Sequence, residues 1–311
     1  MKILFKTIPN HTVSDKEKSK LKEAFESVGM EMTDNEQDYD IALIKGFSNT
    51  WEQVKHLEKP KVLLHIGVNY GLHEDLEQSN WQVKEIYEKA DAVVYISDFA
   101  KLITEKIFPK RNNELDRTIY MAGKPNLPET YFEGEPTCVT TGIWREWKRK
   151  EDSIELARRK GFKLIIIGDQ NIYKDNNIES VGWKDDYKEI YHNAHIFLNP
   201  SLHETLGNVT IEAMQYGLPV ICTNHGATKE IVGNAGIIID NDIPDDERPK
   251  MYGGIQHVIP EKFDEAFDTM MADLSSYREK VKARVKEELN EQTCGQKFKE
   301  LFELCLKKYQ S

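Results

Sequence analysis

Short apolar runs alternate with amphipathic stretches along most of this chain. Ile3-Leu4-Phe5, Ile41–Ile44, Val62–Ile66, Ala92–Ile96 and Thr118–Met121 are brief and rich in Ile, Val and Leu, as strands buried on both faces are. Between them, apolar residues at helical spacing predict helices over Asp15–Val28, near Thr50–Glu58 and near Asn80–Lys89. Ser97-Asp98-Phe99 opens another helix, with Ser97 placed to cap it. The second half repeats the style, with strands at Cys138–Gly142, Leu164–Gly168, Ile196–Leu198, Val220–Cys222 and Ile237–Ile239. Such alternation implies parallel sheets covered on both faces. The segment Gly123–Pro136 holds three prolines and two glycines and is the best linker. The expectation is an α/β protein of two Rossmann-like, doubly wound domains, residues 1–127 and 128–291, facing one another across a cleft.

One crossing carries chemistry. After Phe197-Leu198, Pro200-Ser201 stops the strand, and the polar loop Leu202–Asn208 leads into a helix with Asn208 as the expected N-cap. Gly217 and Pro219 end that helix before the strand Val220–Cys222. Free backbone N–H groups and a positive helix end at the carboxyl edge of a parallel sheet suit a phosphate. Glu204 lies in the loop, and Glu212 is expected in about the first turn of the helix. Carboxylates flanking a phosphate cradle are placed to accept hydrogen bonds from sugar hydroxyls, which suggests a nucleotide-sugar. Either acid alone reads more simply as a solvated loop acid or a favourable charge at a helix start. The ordered string around them shifts the balance.

That string is Glu204, seven residues, Glu212, Ala213-Met214, Gly217-Leu218-Pro219-Val220, Gly226 and Glu230-Ile231-Val232. It resembles the donor-site signature of family-4 (group 1) glycosyltransferases of the GT-B fold. Tyr191–Ser201 extends the resemblance, with His195 where the family has an aspartate. The likeness covers most of residues 138–240 and, more loosely, 60–124. It implies a retaining transferase using a UDP- or GDP-linked sugar, with no separate cofactor, and a last helix (292–311) crossing back onto the first domain. It assigns Glu212 to the nucleotide ribose and Glu204 to the donor sugar. The backbone amides of Leu206, Gly207 and Asn208 fall to the diphosphate, and His65 reaches the sugar near the reacting centre, with His73 as fallback.

A departing diphosphate needs positive charge, from a metal or from Lys/Arg and helix dipoles. Gly142–Lys163 carries eight Lys/Arg against four acids in a chain of net charge −11. Arg145 and Lys148 hold the positions of the family's diphosphate-binding arginine and lysine, with Lys150 as the alternative. Cations at a helix start oppose the helix dipole, which favours a functional role over a solvated face. The strings Asp38-Tyr39-Asp40 and Asp240-Asn241-Asp242 are short enough to arise by chance in so acidic a chain, so metal independence is expected. No Walker string and no G-x-G-x-x-G occurs.

The remaining composition sets bounds. At 311 residues and 39% hydrophobic content the chain can bury two cores. Its acidity argues against non-specific nucleic-acid coating. Cys138, Cys222, Cys294 and Cys305 show no paired spacing and are expected to be reduced thiols, with a cytoplasmic location. Lys101, Lys106, Lys110, Arg111, Arg117 and Lys124 form a second cation excess that suits a phosphorylated acceptor, nucleic acid or a peripheral membrane contact, though a solvated face is the simpler reading. The acceptor stays open: a glycan, a lipid, a small molecule or a modified base of phage-type DNA. A nucleotide-sugar epimerase, a glycan phosphorylase and a non-catalytic sugar-nucleotide sensor are the competing functions. Product formation without acceptor, phosphorolysis and donor hydrolysis separate them.

Overall fold

The computed structural model describes residues 1–6, 12–45, 50–65, 67, 76–173, 175–183, 186–240, 243 and 253–310, the side chains of 12–16, 50 and 76–82 excepted. His73 and the second half of the Asp240-Asn241-Asp242 string lie outside this set. The chain forms two compact units. Unit 1 is Met1–Lys124 with Glu288–Ser311, and unit 2 is Pro125–Glu287.

Unit 1 opens with β1 (Lys2–Lys6), α1 (Thr12–Ser27), β2 (Glu31–Thr33) and β3 (Ile41–Lys45). It continues with α2 (Thr50–Val54), β4 (Lys61–His65), α3 (Leu76–Lys89), β5 (Ala92–Tyr95), α4 (Asp98–Ile107) and β6 (Arg117–Thr118). All pairings are parallel, in the order β2-β1-β3-β4-β5-β6, so the chain winds outward in both directions from β1/β3. β3, β4 and β5 are almost wholly buried. Ser97 caps α4 by accepting from the Ala100 N–H at 2.8 Å.

Unit 2 begins with β7 (Thr137–Thr141), a single 3₁₀ turn (Glu146–Lys148), α5 (Lys150–Lys160), β8 (Lys163–Ile167) and β9 (Ile178–Val181). α6 (Lys188–His192), β10 (Ile196–Asn199), α7 (Asn208–Gln215), β11 (Val220–Thr223), α8 (Thr228–Val232) and β12 (Gly236–Ile239) follow. Then come α9 (Pro260–Ala272) and α10 (Leu274–Glu287). Its sheet is also all parallel, in the order β12-β11-β10-β7-β8-β9. One apolar core joins β7, β8 and β10 to Leu156 of α5 and to Phe263, Phe267 and Met270 of α9.

The last helix, α11 (Glu291–Gln310), belongs to unit 1 and lies along α1. Phe25 of α1 meets Phe298 and Phe302 edge-on at 5.4 and 5.9 Å. Such aromatic pairs add about 0.5–1.5 kcal/mol each beyond area burial. The approach is close enough that a Cβ at Gly295 would fall 2.0 Å from the Ala24 carbonyl oxygen.

Two doubly wound parallel sheets match the expected fold class; several boundaries differ. α3 starts at Leu76, four residues before the expected start, and α2 stops at Val54. The strand expected over Thr118–Met121 pairs only through Arg117–Thr118, although Ile119 and Met121 stay buried. β2 and β9 are edge strands that the hydrophobic pattern does not announce.

Candidate functional site

In unit 2 the chain leaves β7, builds β8 and β9 on one side, then returns to lay β10 on the other. The winding therefore reverses between β7 and β10. Loops leaving two such strands diverge at their carboxyl ends, where open α/β sheets hold ligands.

Those two loops are tied together residue by residue. The Leu202 N–H donates to the Trp147 carbonyl at 2.7 Å. Nη1 of Arg149 donates to the Pro200 carbonyl at 3.3 Å. The Lys148 ammonium pairs with the Glu204 carboxylate, both largely buried. From the β11 side the Ala227 N–H donates to the Glu204 carbonyl at 2.8 Å, and the Thr223 hydroxyl donates to Ser201 O at 2.8 Å. Asn199 Nδ2 donates to Thr210 Oγ1 at 2.8 Å, anchoring the loop's strand to the helix it feeds. Glu204 thus sits on a loop braced from both flanking strands.

The start of α7 differs from expectation. Asn208 is its first helical residue, and the N-cap is Gly207 at φ +74°. A left-handed cap here favours glycine, and a side chain would also crowd the Thr228 hydroxyl, 3.2 Å from the Cβ position. The buried Thr228 hydroxyl and Asn208 Oδ1 have no hydrogen-bond partner among the described residues. Starting the helix at Asn208 moves Glu212 into the second turn rather than the first. Glu212 lies beside Tyr191, whose buried phenol is pushed well up by burial and then by that carboxylate. The Tyr191 hydroxyl contacts the Thr141 hydroxyl at 3.2 Å, which brings this acid's neighbour to the end of β7.

The cations rearrange as well. Arg145 is exposed, and its guanidinium makes no ion pair among the described residues. Arg149, four residues on, is 0% exposed. Its Nε and Nη2 have no partner among the described residues, and its backbone holds φ +52°. Burial lowers its pKa to about 10, so the group stays cationic at neutral pH. The next residue locks the turn: Lys150 donates to Asp169 at 2.8 Å, and the Tyr173 hydroxyl donates to the same oxygen at 2.6 Å. Sequence reasoning passed over Arg149 because Lys148-Arg149-Lys150 reads as one basic run. The only hint was that run's place at a helix start, where cations are disfavoured.

Two buried histidines border the pair. His203 precedes Glu204, and its ring centroid lies 5.6 Å from that of His225. Burial, His225 and Lys148 together push His203 down to about 3, which leaves it neutral.

In unit 1, His65 ends β4 at the carboxyl edge, but its side chain is not presented there. It is 1% exposed, with Nε2 2.7 Å from Thr104 Oγ1 and its ring against Tyr87 and Tyr95. Burial lowers it to about 4. The strand-end position expected of His65 is thus filled by a side chain held within unit 1, between Thr104 of α4 and the rings of Tyr87 and Tyr95. Asp38 pairs with Lys2, and Asp40 accepts from the Lys2 N–H at 2.7 Å. Asp240 accepts from the Asn224 amide. Among the described residues no cluster of three His, Cys, Asp or Glu has metal-holding geometry. None of the described helices is long and apolar enough to cross a membrane.

Residues 150–248 match the family model described as Glycosyl transferases group 1. The O-antigen chain mannosyltransferase B of Escherichia coli is 40% identical over 60 residues, which are 19% of this chain and 16% of that protein. The chain thus spans only a small part of this curated relative. Sucrose-phosphate synthase from Thermosynechococcus elongatus superposes with a TM-score of 0.71 at 13% identity, covering 99% of each chain. Anabaena Alr3699/HepE in complex with UDP-glucose gives 0.71 at 13% identity, over 98% of this chain and all of the other.

Proposed function

We propose, for a chain that belongs to the group 1 glycosyltransferases and has their GT-B architecture, that it moves a sugar from a nucleoside-diphosphate sugar to an acceptor hydroxyl. The observation that carries the reading is Arg149. It is a buried cation whose Nε and Nη2 have no hydrogen-bond partner among the described residues, set beside the loop that leads to the α7 N-terminus at the sheet's switch point. Burying charge without partners is costly, and an anionic ligand at this place would repay it.

In this reading Arg149, with the backbone amides of Leu206–Asn208, holds the diphosphate. Lys148 orients Glu204 toward the donor sugar's hydroxyls, and Glu212 takes the ribose. Arg145 stands at the exposed rim. The sugar C1–O bond to the diphosphate breaks as C1 bonds to the acceptor oxygen, and the acceptor proton passes to the leaving phosphate. Cations and amide dipoles meet the charge that develops on that phosphate, so the reaction proceeds without a metal. Retention of configuration follows from the family likeness. The UDP-glucose complex of the Anabaena protein supports a UDP-linked donor.

A thermal-shift panel of UDP-, GDP- and ADP-linked sugars tests the reading, because a ligand bound to the folded state raises the melting temperature. One donor class should raise it, and Glu212→Gln should abolish that rise while leaving the unliganded melting temperature unchanged. No shift with any member of the panel would sink the proposal.

A further inference from the structure

A second polar cluster lies at the amino edge of the unit 2 sheet, opposite the edge that carries Glu204. Phe132 and His195 stand just ahead of β7 and β10, with ring centroids 5.2 Å apart. Arg278 of α10 is 8% exposed, and its guanidinium lies over the Tyr131 ring, 4.4 Å from the centroid. It makes no ion pair among the described residues. Its one hydrogen bond there runs from Nη2 to the Phe132 carbonyl at 3.2 Å, and its Nε has no partner there. The buried Tyr131 hydroxyl also has no partner among the described residues. Burial pushes that phenol up to about 12, so it keeps its proton at neutral pH. His195 supplies no acceptor. Its Nδ1 takes the Thr137 N–H at 3.1 Å and burial keeps the ring neutral, which leaves the ring proton on Nε2.

A cavity of about 570 Å³ opens beside these groups, lined by Thr130, Tyr131, Glu133, Ser275, Arg278 and Glu279. A buried cation and a buried hydroxyl that lack acceptors are costly, and an oxyanion in the cavity would relieve both. The acids at hand do not. Glu279 is exposed and tied to Lys282 at 2.7 Å, while Glu133 is exposed and acts on Arg278 only through its charge. Lys282 places a second cation over the Tyr131 ring, 5.1 Å from its centroid. Two glutamates in the lining weigh against a dianion such as phosphate. A single carboxylate meets a guanidinium through two parallel N–H bonds and carries one charge.

We infer that this cavity binds the carboxylate of a small organic acid, held by the Arg278 guanidinium and the Tyr131 hydroxyl. None of its residues takes part in the donor reading above. Its floor is the Tyr131 ring, packed just past the end of α7, where a Cβ at Gly217 would fall 3.0 Å from Tyr131 Cε1.

Titration of the isotopically labelled full chain with butyrate, followed by proton–nitrogen NMR, tests this. Butyramide serves as the neutral counterpart, and sodium chloride holds the ionic strength constant. The Arg278 Nε–H signal, identified by its loss in Arg278→Lys, should shift and saturate with butyrate but not with butyramide. Tyr131→Phe removes one hydrogen bond to a charged group and should weaken butyrate binding about 10- to 150-fold. The melting temperature of that variant should not fall, because the deleted hydroxyl has no partner among the described residues. Glu133→Gln should tighten butyrate binding by up to about 5-fold. Inorganic phosphate should move the Arg278 signal less than butyrate does; a larger response to phosphate would overturn the carboxylate assignment. Equal responses to butyrate and butyramide, or parental butyrate affinity in Tyr131→Phe, would overturn the site itself and leave Arg278 as a tie to the Phe132 carbonyl.

Discussion

Replacing Arg149 by methionine should stabilise the protein while disabling it. The side chain is fully buried, its one hydrogen bond among the described residues is a long 3.3 Å contact to Pro200 O, and two of its nitrogens have no partner there. A buried donor without a partner costs about 1–3 kcal/mol, and an apolar side chain of similar length avoids that cost. The left-handed backbone is no better or worse for methionine than for arginine, so that strain cancels. For a unit of this size each kcal/mol moves the melting temperature by roughly 2–4 °C. Arg149→Met should therefore melt roughly 2–12 °C higher by calorimetry. In the proposed reading the same change also removes a charge that meets the leaving diphosphate, worth about 2.7–4 kcal/mol of barrier, so donor turnover should fall about 100- to 1000-fold. A variant that melts lower yet turns over UDP-glucose at the parental rate would refute the reasoning and make Arg149 a structural residue.

Two further tests address unit 1. His65 is held near about 4, below its ordinary 6.5, so as pH falls through that window the unfolded chain takes up its proton first. This contribution to stability is complete above the unfolded value and is lost toward the folded one, roughly 3 kcal/mol in all. His65→Gln keeps a partner for Thr104 but cannot titrate, so urea unfolding should show a weaker acid sensitivity than in the parent. Equal sensitivity in the two would count against the burial of His65. Gly295→Ala would force α11 off α1, because its Cβ would sit 2.0 Å from Ala24 O, and should cost about 1–3 kcal/mol or more. A gain of stability, as helix propensity alone would give, would contradict that docking.

Much of the fold was legible because central parallel strands are buried on both faces and therefore read as continuous apolar runs. β4 and β5 show this plainly. β2 (Glu31-Met32-Thr33) and β9 (Ile178-Glu179-Ser180-Val181) did not, since an edge strand is half exposed and its polar residues dilute the signal. α9 and α10 went unplaced because packing against the sheet, rather than a distinctive motif, defines them. Glu204 and Glu212 fall on a loop and a helix as their surroundings predict, but the cap slipped by one residue because only the backbone shows that Gly207 turns left-handed. Which member of the basic run 148–150 turns inward depends on that same kind of backbone torsion, at Arg149. His65 shows the converse: a strand end marks an edge of the sheet, while neighbouring helices decide whether the side chain sees solvent.

The return of α11 has a consequence for biosynthesis. Unit 1 is written in two instalments, and all of unit 2 is translated between them. Emerging N-terminus first, the ribosome-bound chain exposes Phe25 on α1 long before Phe298 and Phe302 exist to cover it. Unit 2, contiguous from Pro125 to Glu287, is complete first, so the half of the molecule begun earliest is the last to close.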